Sequence, residues 1–204
     1  LDMVVPADAL GQVRKLSREF GGACVVLDRD RDIARLVIGS WTIDLARQDG
    51  DDLTADLLRR DYRINAIALT LTTEPKLLDP SGGIADLCAR RITAVNEQNL
   101  LDDPLRLLRA LRLAAELSMT IDEATLEMIA RHRHHLPKVA PERIQAEVLK
   151  LVQANNADQA IHLLHSLQLI APWSSDQPQR KFNAEALTKQ EEQLALPLAR
   201  LTQL

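Results

Sequence analysis

The chain has 204 residues, 46% hydrophobic and 26% charged, with a formal net charge of -4: enough for one or two domains with a real core, in the composition of an ordinary soluble globular protein. Aromatic residues make up only 2%, which speaks against stacking platforms for bases, and the net negative charge means that a nucleic-acid partner must be met by local basic patches. Cys24 and Cys88 lie outside any metal-ligand spacing, and there is no secretory signal or membrane-length apolar run, so a reducing, cytoplasmic setting with no membrane and no disulfide scaffold is expected.

Leu1 to Val5 reads as the end of a strand that begins before the chain does. Pro6 opens a helical pattern through Phe20, with Leu10, Val13, Leu16 and Phe20 on one side, and Gly21-Gly22 ends it. Short strands are expected at 24–27, 35–38 and 41–46, with Gly39-Ser40 as the turn between the last two. In the third of these, Thr42, Asp44 and Ala46 share one face. Aspartate is disfavoured inside a strand, so Asp44 is either solvated on the outer face, the commoner case, or a ligand aimed into a cleft. A short acidic helix is expected from Asp51 to Leu58. The polar run Arg59-Arg60-Asp61-Tyr62-Arg63 follows and leads into a small apolar helix around Ile64 to Ala68. Asn65 forms helix poorly, which points to a specific job for its amide. Leu77-Leu78 reads as a strand, Asp79 to Gly83 as a turn rather than a glycine-rich phosphate cradle, 84–87 as one helical turn and 92–95 as a strand.

Beyond Asn96 no strand is expected. Asp102 and Asp103 precede Pro104, a helix start, and the helix continues to about Leu117. Arg106, Arg109 and Arg112 recur at three-residue steps and drift slowly round one face. Such a ladder is either a solvated basic face or a site for phosphates and base edges. Further helices are expected at 120–129, capped by Asp122 or Thr120, at 141–152 and at 157–167, with a linker at 172–178 and a helical pattern from 183. His132, His134 and His135 read as a solvated helix end rather than a metal site. Strands followed by a run of helices give an α+β chain with an α/β head over 1–95, a helical neck over 96–171, and a linker with the start of a helical body over 172–204.

Taken in order, TIDLAR (42–47), RRDYRINAIAL (59–69), DPSGGIADL (79–87), DDPLRLLRALRLAAEL (102–117) and PERIQAEVLKL (141–151) closely resemble the class II tRNA nucleotidyltransferase and bacterial poly(A) polymerase family. The resemblance covers about the first three-quarters of the chain. It implies a nucleotidyltransferase head with a small mixed sheet, followed by an all-helical neck and body. It implies a template-independent enzyme that adds C or A residues of the CCA terminus to the tRNA 3′ end from CTP or ATP, using Mg2+.

The resemblance also implies roles for residues. Asp2 matches the second carboxylate of the family's Asp-x-Asp pair and is a catalytic metal ligand, with Leu1 as the middle residue and the first aspartate lying before residue 1. Asp44 is the candidate third carboxylate. Arg60 contacts the incoming nucleotide, and Asp61 and Asn65 organise the site. Asp103 and Arg106 match the amino-acid template that pairs with the base. Arg109 and Arg112 help to bind the nucleotide, whereas Glu142, Arg143 and Glu147 read as structural. Only Gln48 to Leu58 separate TIDLAR from RRD, where the family usually has a longer loop. That leans towards CC addition. The alternatives are a poly(A) polymerase, or a nucleotide- or RNA-binding fragment that is inactive as it stands.

Overall fold

Alternating apolar side chains build the sheet of the first unit. In the computed structural model, which describes residues 1–169, β1 (Asp2–Val5), β2 (Ala23–Asp28), β3 (Ile33–Ile38) and β4 (Trp41–Arg47) form one sheet in the order β1-β4-β3-β2. The β1–β4 pair is parallel and the other two are antiparallel. Helix α1 (Ala9–Phe20) covers one face, and its Ala9 and Val13 are buried with Ala34, Leu36 and Leu45. The helix starts at Ala9 rather than Pro6 because two aspartates fix its first turn. Asp8 accepts from the Gly11 N–H, and the Asp32 carboxylate accepts from the N–H groups of Ala9 and Leu10. Gly21, at φ 70°, closes it as the sequence predicts. Phe20, read as part of the apolar stripe, is largely exposed. Helix α2 (Leu53–Leu58) is capped by Asp52.

The chain divides into two compact units, the first ending at Arg59 and the second starting at Arg60. The second unit holds α3 (Gly83–Cys88), α4 (Glu97–Asp102), α5 (Arg106–Leu117), α6 (Glu123–His132), α7 (Pro141–Gln153) and α8 (Ala157–Ser166). Two short ladders accompany them: β5 (Ala68–Leu69) antiparallel to β6 (Leu77–Leu78), and β7 (Arg91–Ile92) parallel to β8 (Thr120–Ile121). Leu107, Leu108 and Leu111 of α5 are fully buried with Leu151 of α7 and Leu164 of α8. Tyr62, Ile64, Ile92 and Ala94, which the sequence attaches to the head, pack into this same helical core.

Three expectations change. The apolar helix expected around 64–68 is a 3-10 turn over Arg63–Asn65 followed by β5. Gly83 holds that turn closely: a Cβ there would stand 2.0 Å from the Arg63 carbonyl oxygen. The helix expected to start at Pro104 begins two residues later, as α5 at Arg106, and a separate helix, α4, precedes it, the two broken at Asp103. That residue is extended (φ -140°, ψ 95°) because the following Pro104 disfavours the helical region. A strand, β8, does occur beyond Asn96, but two residues are too short to show a period. Helix α6 therefore begins after it, at Glu123, with Asp122 as its cap. The expected linker and final helix over 172–204 lie outside the described residues.

Candidate functional site

The first cluster is a row across the head sheet. Parallel pairing sets Asp2 of β1 beside Asp44 of β4, and antiparallel pairing sets Arg35 of β3 beside Asp44 on its other side. Inward positions alternate with these: Ala34, Leu36 and Leu45 face α1, so Asp2, Asp44 and Arg35 share the opposite face. The Arg35 guanidinium grips Asp44 with both arms, Nε to Oδ1 at 2.7 Å and Nη2 to Oδ2 at 2.8 Å. The hydrogen bond from Arg35 holds the Asp44 carboxyl below the usual carboxylate range, against a smaller opposing effect of burial.

The second cluster lies in the second unit, around Asp61. Its Oδ1 accepts from the Tyr62 N–H at 2.8 Å and from Asn65 Nδ2 at 3.0 Å, and its Oδ2 accepts from Arg109 Nε at 2.8 Å. Asp61 is nearly fully buried, so these bonds replace the water that its charge has lost. Arg60 Nη1 donates back to the Asn65 carbonyl at 3.0 Å. Asn99 on α4 ties the segment to α5. Its Nδ2 donates to the Arg60 carbonyl at 2.6 Å, and its own carbonyl accepts from Arg106 Nη1 at 2.9 Å. The Tyr62 hydroxyl donates to the Arg106 carbonyl at 2.6 Å. Burial, with the Asp61 charge beside it, pushes the phenol well above its ordinary value and keeps it a donor.

At the head of α5, Asp103 sits in the break between helices. Its Oδ1 accepts from the Leu105 N–H at 3.3 Å, and its Oδ2 accepts from Arg143 Nη2 of α7 at 2.8 Å. Burial, the largest single effect, works to raise the Asp103 carboxyl, but the hydrogen bond and charge of Arg143, with the Leu105 N–H and the Arg106 charge, together hold the group below its usual value. Arg112 is turned differently. It donates through Nε to Glu147 of α7 and through Nη1 to Glu116, with only 12% of its side chain exposed. Burial opposes its charge, and the two carboxylates more than offset that.

Asp61, Asn65, Arg60, Arg106 and Arg109 thus form one connected network, Asp103 is joined to Arg143, and Arg112 belongs to an ion pair between α5 and α7. Sequence reasoning missed Arg35, Tyr62 and Asn99. Arg35 had a signal: it stands four positions before Gly39 as Asp44 stands four after Ser40, so a two-residue hairpin turn pairs them. Asn99 had none beyond being an asparagine in a helix.

A hard divalent cation takes one or two carboxylates and completes its shell with water and substrate phosphates. Asp2 and Asp44, adjacent on one face, fit that donor set. Among the described residues there is no group of three or more His, Cys, Asp or Glu side chains that could hold a metal. The histidines go elsewhere: His132 Nε2 meets Glu97 at 2.6 Å, and the rings of His134 and His135 stand 4.1 Å apart. No helix among the described residues is long and apolar enough to cross a membrane.

Two family models match the chain: the poly A polymerase head domain over residues 7–93, and the probable RNA- and SrmB-binding site of polymerase A over residues 118–177. The CC-adding tRNA nucleotidyltransferase of Synechocystis sp. is 38% identical over 183 residues, 90% of this chain and 44% of the relative. The CC-adding enzyme of Geobacter sulfurreducens is 38% identical over 159 residues, 77% of this chain and 37% of the relative. Other relatives are named A-adding and CCA-adding enzymes. The chain spans less than half the length of these curated relatives. Among solved structures, the Thermotoga maritima CCA-adding enzyme complexed with tRNA superposes with a TM-score of 0.74 at 28% identity, over 86% of this chain and 44% of that one. By both of its matched segments and by its relatives, the chain belongs to the tRNA nucleotidyltransferase and poly(A) polymerase family.

Proposed function

We propose that this chain carries the catalytic and nucleotide-selecting residues of a tRNA 3′-end nucleotidyltransferase, which adds residues of the CCA terminus from CTP or ATP, with CC as the favoured product. The observation that carries the reading is the register of Asp2 beside Asp44 on one face of the sheet, in a chain whose family transfers nucleotides to RNA 3′ ends.

Asp2 and Asp44 supply hard oxygen donors for Mg2+. When bound, that ion neutralises triphosphate charge and lowers the pKa of an attacking hydroxyl. Nucleotide choice falls to the second unit. Cytosine and adenine both present an exocyclic amino group, which a carboxylate accepts from; uracil presents a carbonyl there, which a carboxylate repels. Asp103, kept ionised and aimed by Arg143, is that acceptor, and Arg106 donates to the ring acceptors of the base. Arg109, oriented by Asp61, and Arg60, beside Asn65, meet the phosphates. The short passage from Gln48 to Leu58, which includes α2, supports the preference for C, as do the CC-adding relatives.

The test is incorporation on tRNA lacking its CCA end, with the full-length protein, Mg2+, and CTP and ATP singly and together. Two C residues and no A are expected. A complete CCA end would overturn the preference for C. Long A tracts on unrelated RNA would move the activity to poly(A) synthesis, and nucleotide binding without incorporation would overturn the catalytic reading.

A further inference from the structure

We propose that Arg35 is a displaceable counter-cation, holding the Asp44 carboxylate until a divalent metal takes it. The inference rests on the reading that Asp2 and Asp44 hold that metal.

The fork of Arg35 lies across both oxygens of Asp44, at 2.7 and 2.8 Å. A chelating cation needs the same position, so the two compete for one carboxylate. Asp2 adds to the attraction from the next strand. Without a cation, two register-paired aspartates repel each other. Arg35 offsets that repulsion and lets the sheet form in the absence of metal. A divalent ion carries more charge in less space and repels the guanidinium it replaces.

The pair has the exposure of a reversible contact. Arg35 is 42% and Asp44 25% exposed, whereas Arg112 and Glu147, which join α5 to α7, are 12% and 6% exposed. A half-exposed pair costs little to open because water receives both ends, and the long arginine stem lets its head swing out without moving β3. Arg35 is thus a positioning residue that sets how tightly the site takes its metal.

The experiment is Mn2+ titration of the full-length protein without nucleotide, followed by the electron spin resonance of the free ion. Wild type is compared with Arg35→Gln, Arg35→Lys and Asp44→Asn, with circular dichroism melts as a control on folding. Arg35→Gln is expected to bind Mn2+ roughly two- to fivefold more tightly, the scale of an exposed ion pair. Arg35→Lys should fall between it and wild type, because an ammonium makes a point contact in place of the fork. Asp44→Asn should bind most weakly. Equal or weaker binding by Arg35→Gln, with Asp44→Asn still impaired, overturns the counter-cation and leaves the metal site standing. Equal binding by wild type and Asp44→Asn overturns the metal site and the counter-cation together.

Discussion

Asp61 and Arg109 meet across 48 positions of sequence, with Nε donating to Oδ2 at 2.8 Å, and this bond joins the Tyr62–Arg106 contact in fixing the polar loop to the arginine helix. Asp61 is only 6% exposed while Arg109 is 37% exposed. The aspartate is therefore the member that suffers if the pair is broken, and the arginine keeps part of its surface free for an anion.

Asp61→Asn is expected to lower stability by about 2 kcal/mol, below the range for fully buried pairs because Arg109 still reaches water. It should also weaken nucleotide binding, since an asparagine keeps only one of the two acceptor oxygens, so either Arg109 or the Asn65 amide and Tyr62 N–H face an NH2 group instead. Urea denaturation measures the first, as a lower midpoint at unchanged slope, and nucleotide titration of the folded variant measures the second. A variant as stable as wild type would mean that the bond does not hold the loop.

Arg112 gives the opposite expectation. The family resemblance makes it a nucleotide ligand, but its guanidinium is enclosed by Glu147 and Glu116. Arg112→Ala should cost about 3 kcal/mol by leaving the buried Glu147 uncompensated, and the Arg112→Leu/Glu147→Leu double variant should recover most of it. The double variant, once folded, should select nucleotides as wild type does. A raised KM for CTP in that stable protein would return Arg112 to the nucleotide.

These two arginines show what the sequence reveals and what it hides. A three-residue spacing puts Arg106, Arg109 and Arg112 near one another on α5, but each points to a partner supplied by a different part of the chain: Asn99, Asp61 and Glu147. Periodicity carries the first fact and not the second. The head strands are legible because they alternate, and Gly21 because a helix end needs a left-handed residue. The break at Asp103 is hidden because an Asp before Pro serves equally as a cap and as a stop. The 3-10 turn over Arg63–Asn65 is hidden because its cause, Gly83 against the Arg63 carbonyl, lies twenty residues further on. Hairpin arithmetic pairs Arg35 with Asp44, but only if the turn is taken as two residues before its geometry is known.

Asp103 should leave a signature in acid. Its folded carboxyl lies below the usual value near 4, so its contribution to stability is complete above about pH 4 and is lost as pH falls through the folded value. Burial pushes the other way, and Arg143 is the largest of the effects that oppose it. In Arg143→Gln the Leu105 N–H and the more distant Arg106 charge are left to oppose burial. The carboxyl moves upward, so acid should destabilise this variant less than wild type. Urea midpoints at pH 7 and pH 3 for the two proteins read the difference directly. An identical pH dependence would remove Arg143 as the holder of the charge.

The same carboxylate allows the strictest test of nucleotide choice. An ionised Asp103 only accepts hydrogen bonds, whereas an asparagine in its place presents an amide that donates as well. Asp103→Asn should therefore admit UTP, whose carbonyl the carboxylate repels, and the ratio of kcat/KM for CTP over UTP should fall by about tenfold or more. Arg106→Ala should lower kcat/KM for CTP on a similar scale, because the ring acceptors lose their donor, while its melting temperature changes little. The bond from its guanidinium to the Asn99 carbonyl is only partly buried, and its backbone carbonyl, which holds Tyr62, is retained. Single-nucleotide incorporation on tRNA lacking its CCA end gives both ratios. If both variants stay active and still reject UTP as strongly as wild type does, the base is read by other groups, and Asp103 with Arg143 serves only to hold α7 against the start of α5.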